Sequence, residues 1–174
     1  ELLLAEPLDK MALEWNIDCT TELGPSTPFI SWDGIPTFYT LENEGKTLHV
    51  FGKIERGYAA SLIHAINENP SVTAIAIGSP GGNVVEAVKA GEFIRKRGLK
   101  TTAWSSCHSA CTLVFLGGVD RIIYQPYPDF GFHQIYGADG RAIPLDDPGY
   151  EVLRQYINAM GADGTAIVRM MHRA

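Results

Sequence analysis

Residues 72–98 read VTAIAIGSPGGNVVEAVKAGEFIRKRG, and this stretch decides the fold. Its first six residues are apolar and rich in β-branched side chains, the composition of a strand covered on both faces. Gly78-Ser79-Pro80-Gly81-Gly82 then interrupts the run with residues that turn a chain. Val84, Ala87, Val88 and Ile94 follow at helical spacing; Arg95, Lys96 and Arg97 complement the dipole in the last turn, and Gly98 closes the helix. A buried strand, a glycine turn and an amphipathic helix in that order make a β–α unit.

The alternation extends in both directions. Upstream, residues 37–41 and 47–52 read as strands around the polar turn 42–46. Ala59, Leu62, Ile63 and Ile66 stripe a helix stopped at 67–70. Downstream, residues 101–104 read as a strand, 110–116 as a short apolar helix ended by Gly117-Gly118, 121–124 as a strand, and Gly131-Phe132-His133 as a last extended piece. Residues 134–149 form a polar excursion. Tyr150, Leu153, Ile157 and Met160 stripe a helix that Gly161 ends, and Ala166, Ile167, Met170 and Met171 begin another. The pattern predicts an α/β fold with a largely parallel sheet and crossover helices. Residues 1–36, with Pro7, Pro25, Pro28 and Pro36, read as a mostly irregular arm holding one short helix at 9–15, and residues 37–174 as the α/β domain.

Composition narrows the function. The 174 residues carry 14 basic and 20 acidic side chains, a net charge of −6, with 45% hydrophobic and 20% charged residues. A chain of this size buries about 70% of its unfolded surface, enough for one core. Without a run of Lys or Arg it lacks the electrostatic footprint of nucleic-acid binding. No stretch approaches the roughly 20 apolar residues of a membrane span, since Leu2-Leu3-Leu4-Ala5 meets Glu6, Pro7 and Asp9 at once. The first residue is Glu1, not Met, which leaves room upstream for a signal or a membrane-tethering segment.

Two turns at the carboxyl ends of predicted strands are candidates for chemistry. In Ser79-Pro80-Gly81-Gly82, the amides of Gly81 and Gly82 are free to meet a developing negative charge, or the turn simply joins strand to helix. No Gly-Lys-Ser/Thr follows, so it is not a phosphate loop. In Ser105-Ser106-Cys107-His108-Ser109-Ala110-Cys111, Ser109 is either a helix cap or a nucleophile whose oxyanion meets the Ala110 N–H. His133 is either a satisfied core histidine or a general base. Cys107 is a rival nucleophile with no base placed for it, and His108 adjoins Ser109 in sequence, where side chains diverge. If Cys107 and Cys111 lie on one helical turn, their Cα atoms come within about 6 Å. A disulfide and a pair of buried thiols both fit, and Cys19 leaves the count odd. His49, His64, His108, His133 and His172 are never spaced as metal ligands, so neither a metal nor another cofactor is expected.

The three motifs taken together have a further meaning. Gly81 precedes Ser109 by 28 residues, and Ser109 precedes His133 by 24. Ser79-Pro80-Gly81-Gly82, His108-Ser109-Ala110-Cys111 and Phe132-His133-Gln134, in that order, resemble the ClpP/crotonase superfamily, and specifically ClpP-like serine peptidases, over roughly residues 47–171. The resemblance implies that Ser109 attacks a carbonyl and His133 carries its proton, with Gly81, Gly82 and Ala110 forming the oxyanion hole. It also implies a peptide or protein substrate and a homo-oligomer. The family's third catalytic member is an acid long after the histidine, expected near or beyond the chain end, so the C-terminal part is expected to be truncated. Asp146, Asp147 and Asp163 are the acidic candidates present, and none matches the family motif. The Cys-His-Ser-Ala-Cys setting resembles extracytoplasmic bacterial ClpP-like proteins and implies a periplasmic or secreted location. Two other functions stand beside the hydrolase: a catalytically silent peptide-binding or assembly module, and a crotonase-like acyl-CoA enzyme. The Ser109/His133 pair and the lack of a basic cluster for a CoA phosphate weigh against the latter.

Overall fold

A computed structural model of the chain describes residues 37–123, 129–137, 139–144 and 146–172; the expected arm, the helix at 9–15 and Cys19 lie outside the described residues. In chain order the elements are β1 (Phe38–Glu42), β2 (Thr47–Phe51), α1 (Tyr58–Glu68), β3 (Ala74–Ser79), α2 (Val84–Lys96), β4 (Lys100–His108), α3 (Ala110–Leu116), β5 (Arg121–Ile123), β6 (Phe130–Gly131), α4 (Pro148–Ala159) and α5 (Gly164–Met171). They build one six-stranded sheet in the order β1-β2-β3-β4-β5, with β6 also on β4. β1 and β2 form an antiparallel hairpin whose turn runs through left-handed Asn43, Glu44 and Gly45. All other pairings are parallel, with α1 and α2 as the crossovers. The sheet is thus largely parallel, as the alternating pattern predicts.

β4 corrects the sequence reading. It runs on through Ser105, Ser106 and Cys107 to His108, four residues past Trp104. Its burial alternates, with Thr101, Ala103, Ser105 and Cys107 turned inward, so the inward Ser105 hid the strand's extension from a reading based on apolar runs. The extra length serves two partners. Residues 101–103 pair with β5, while Cys107 and His108 pair with β6. Against β3 the register shifts: Ile77 faces Ala103, but Ser79 faces Cys107. That irregularity carries the end of β4 around to the end of β3.

The core lies between the sheet and the helices. Leu48, Val50, Ile75 and Ile77 of the sheet meet Leu62 and Ile66 of α1 and Ala87, Ala90 and Ile94 of α2. Every residue of α3 is buried. Helices α2 and α3 touch backbone to backbone, because a Cβ on Gly117 would stand 2.4 Å from the Gly91 carbonyl oxygen. Polar ties fix the ends. Tyr156 Oη of α4 donates to the Leu113 carbonyl at 2.7 Å. The Arg95 guanidinium donates to the carbonyls of Leu116 (3.0 Å) and Met160 (2.7 Å), joining the C-terminal ends of α3 and α4. Glu86 of α2 accepts from the Ala59 amide at 3.0 Å and so caps the first turn of α1. No helix among the described residues is long and apolar enough to cross a membrane.

Candidate active site

The pairing of Ser79 with Cys107 puts the two glycine- and serine-bearing turns side by side at the carboxyl edge of neighbouring parallel strands. Their contact is intimate. A Cβ on Gly81 would lie 2.6 Å from Ser109 Cβ and 2.7 Å from the His108 carbonyl oxygen. Gly81 and Gly82 also have φ of +99° and +139°, which side-chain-bearing residues resist. The loop at Ile54 clamps the turn: the Ile54 amide donates to Gly81 O at 2.9 Å, and Asn83 N donates to Ile54 O at 2.7 Å. Within the turn, the Gly81 amide donates to Ser79 Oγ at 3.0 Å. That amide is engaged, whereas Gly82 and Ala110 border an open cleft.

Ser109 joins β4 to α3 with φ 54° and ψ −126°, a conformation rare for a residue with a side chain. It occupies the N-cap position, yet its side chain makes no capping bond, so the cap reading of its hydroxyl does not hold. The backbone is fixed on both sides. Its amide donates to Gly131 O at 2.7 Å, and its carbonyl accepts from Thr112 N (3.1 Å) and Thr112 Oγ1 (2.7 Å). Cys107 and Cys111, both fully buried, form a disulfide that brackets this turn. The disulfide removes two of the sequence's alternatives at once: the pair are not free thiols, and Cys107 is not a thiolate nucleophile.

The bond from Ser109 N to Gly131 O also explains how His133 arrives, two residues beyond β6. His133 is exposed, and its Nδ1 lies 2.6 Å from the carbonyl oxygen of Gln134. A carbonyl only accepts, so Nδ1 carries a hydrogen, and in the neutral ring that places the lone pair on Nε2. Ser109, His133, Pro80, Gly82 and Ala110 line one cleft of about 220 Å³. Val84, Leu113, Ile135, Leu153 and Met171 give the same cleft an apolar lining, beside Gln134 and Tyr136. The structure therefore gathers residues from all three sequence motifs around one space.

The acids behave differently from Ser109 and His133. Asp147 Oδ1 accepts from Gly149 N at 2.7 Å and caps α4; Asp163 Oδ1 accepts from Ala166 N at 2.9 Å and caps α5. Asp146 is exposed. No ion pair joins His133 to a carboxylate among the described residues, whereas His108 Nε2 stands 3.4 Å from Asp129 Oδ2. Residues 134–149, read as an excursion, hold an antiparallel bridge between Tyr136 and Ala142, and Ile143 N donates to Ile135 O at 2.8 Å. Sequence reasoning missed two residues here. Asp129 carried no spacing signal, and Tyr150 was visible only as part of a helix stripe. Tyr150 Oη in fact accepts from the Ile135 amide at 3.1 Å. Among the described residues, no group of three or more His, Cys, Asp or Glu side chains is placed to hold a metal ion.

Neither protein-family profiles nor curated proteins match the sequence. Solved structures do match the fold. ClpP1 from Listeria monocytogenes superposes with a TM-score of 0.58 at 20% identity, covering 75% of this chain and 81% of that one. A membrane-bound stomatin-specific protease, 1510-N, superposes in a serine-to-alanine mutant form with a TM-score of 0.55 at 16% identity, covering 72% of this chain and 68% of that one. A lysine-to-alanine mutant of the same protease, in complex with a substrate peptide, gives a TM-score of 0.56 at 18% identity, covering 72% and 64%. With its parallel sheet, its crossover helices and these neighbours, the chain has the fold of the ClpP-like serine peptidases.

Proposed function

We propose that the chain is a serine hydrolase that cleaves peptide bonds through an acyl-enzyme on Ser109. Ser109 Oγ adds to the scissile carbonyl while His133 Nε2 takes its proton. The amides of Gly82 and Ala110 donate to the oxyanion, and the protonated imidazole then gives its proton to the leaving amine. Water, deprotonated by the same imidazole, releases the acyl group. Gly81 is left out of the oxyanion hole because its amide is already bonded to Ser79 Oγ. The observation that carries this reading is Ser109 itself: a serine in a left-handed turn, its hydroxyl unused as a cap, lining the same cleft as an imidazole whose Nδ1 is held by the Gln134 carbonyl. That the neighbours are proteases, one of them bound to a substrate peptide, supports peptide bonds as the target.

The test is turnover of a mixed peptide library, with products read by mass spectrometry. The wild type releases fragments, Ser109→Ala releases none, and His133→Ala slows release by about 10²–10⁴-fold. Cleavage that survives Ser109→Ala refutes the proposal. A silent peptide-binding module is the second reading, favoured by the lack of a His133–carboxylate ion pair among the described residues; it predicts peptide binding without fragments. Two narrower parts of the proposal concern setting. An extracytoplasmic location fits the Cys107–Cys111 disulfide, which reducing cytosol would not preserve. Homo-oligomers are expected, and light scattering of the purified protein decides that point.

A further inference from the structure

We propose that Tyr150 is a positioning residue for His133, acting through a single peptide plane that takes the place of an orienting carboxylate. The proposal rests on the reading of His133 as the general base. Two hydrogen bonds carry it. His133 Nδ1 donates to the carbonyl of Gln134 at 2.6 Å, and the amide of Ile135 donates to Tyr150 Oη at 3.1 Å. The carbonyl of Gln134 and the amide of Ile135 belong to the same peptide unit. In a planar trans peptide the C=O and N–H point in opposite directions, so anchoring one aims the other. The anchor is firm. Tyr150 is 2% exposed and packed in the core, on the N-terminal turn of α4, which Pro148 and the Asp147 cap fix in place.

The chain Tyr150 Oη, Ile135 N–H, Gln134 C=O and His133 Nδ1–H does two things an acid does in a triad. It selects the tautomer with the lone pair on Nε2, and it fixes the ring's direction. Unlike a carboxylate it brings no negative charge, so the imidazolium formed during attack gains only a dipole's help. The rung from Ile143 N to Ile135 O holds the same segment from its other side.

The experiment compares the wild type with Tyr150→Phe, which keeps the ring in the core and deletes the acceptor. Three signals are read: the ¹⁵N shifts of the His133 ring, hydrogen exchange at the Ile135 amide, and the rate of Ser109 labelling by a fluorophosphonate. The proposal expects Nδ1–H in the wild type, movement toward the Nε2–H tautomer in Tyr150→Phe, faster Ile135 exchange and labelling slowed roughly tenfold, the scale at which outer partners of a working imidazole act. A folded Tyr150→Phe with an unchanged tautomer overturns it, even if labelling falls, because that pattern marks a purely structural tyrosine. Should Tyr150→Phe not fold, Ile135 exchange in the wild type decides: protection supports the anchor, and exchange at the rate of an open loop refutes it. Absence of labelling in the wild type would refute the hydrolase, while the tautomer and exchange signals would still judge the anchor.

Discussion

Replacing Ser109 by glycine and by alanine separates backbone strain from chemistry. Ser109 sits at φ 54°, ψ −126°, where a Cβ is crowded, and holding such a residue there costs on the order of 1–3 kcal/mol. Alanine keeps the Cβ and therefore the strain. Glycine relieves it but frees the unfolded chain, and at an ordinary position that makes glycine about 0.5–1 kcal/mol less stable than alanine. The difference leaves Ser109→Gly at least as stable as Ser109→Ala, by up to about 2.5 kcal/mol, against the usual order. For a chain of 174 residues this corresponds to a Tm higher by up to roughly 10 °C. Neither variant has a hydroxyl, so both are silent toward fluorophosphonate, and urea unfolding followed by circular dichroism reads the backbone alone. A Ser109→Gly protein less stable than Ser109→Ala would show that the turn is relaxed and that the strain argument for a poised nucleophile is wrong.

Gly81→Ala should lose on the order of 2–6 kcal/mol, since the new Cβ would stand 2.6 Å from Ser109 Cβ and 2.7 Å from the His108 carbonyl at a φ of +99°; thermal unfolding checks this, and a change under about 0.5 kcal/mol would mean the two turns do not touch. Reducing the Cys107–Cys111 bridge, which closes a loop of sequence separation 4, should remove about 2 kcal/mol and slow labelling of the bracketed Ser109, both measured with and without dithiothreitol. Glu86 gives a pH signature. The Ala59 amide, and secondarily Lys89, hold its carboxyl below its ordinary 4.5, so its contribution is present above that pH and is lost as pH falls through the lower, folded value. Glu86→Gln should flatten that part of the acid limb of stability, and an unchanged limb would deny Glu86 its role at the start of α1.

The β–α units were legible because their signals are local: period 2 or 3.6 within an element, and glycine or proline between them. Residues 72–98 show this well. The extent of β4 was not legible, because Ser105 turns inward on the strength of a long-range register with β3 rather than of its own polarity. Asp147 and Asp163, candidate acids that match no family motif, are helix caps, and Asp before Pro148 and before Gly164-Thr165 is a capping pattern that local chemistry explains. The motif residues Ser109 and His133 could be named from the three motifs that carry the ClpP-like resemblance. That the Gly81 amide is engaged within its own turn could not be read, since that depends on where Ser79 Oγ points. Tyr150 was invisible as a polar group for the same reason: its partner is a backbone amide 15 positions away, brought near only by the fold.

Mass spectrometry of the fluorophosphonate adduct addresses the heart of the account. A single phosphonyl group on the tryptic peptide containing Ser109, formed by the wild type and lost or strongly slowed in His133→Ala, is the predicted result. An adduct on another serine, or one at Ser109 that forms equally fast without the His133 imidazole, would contradict it.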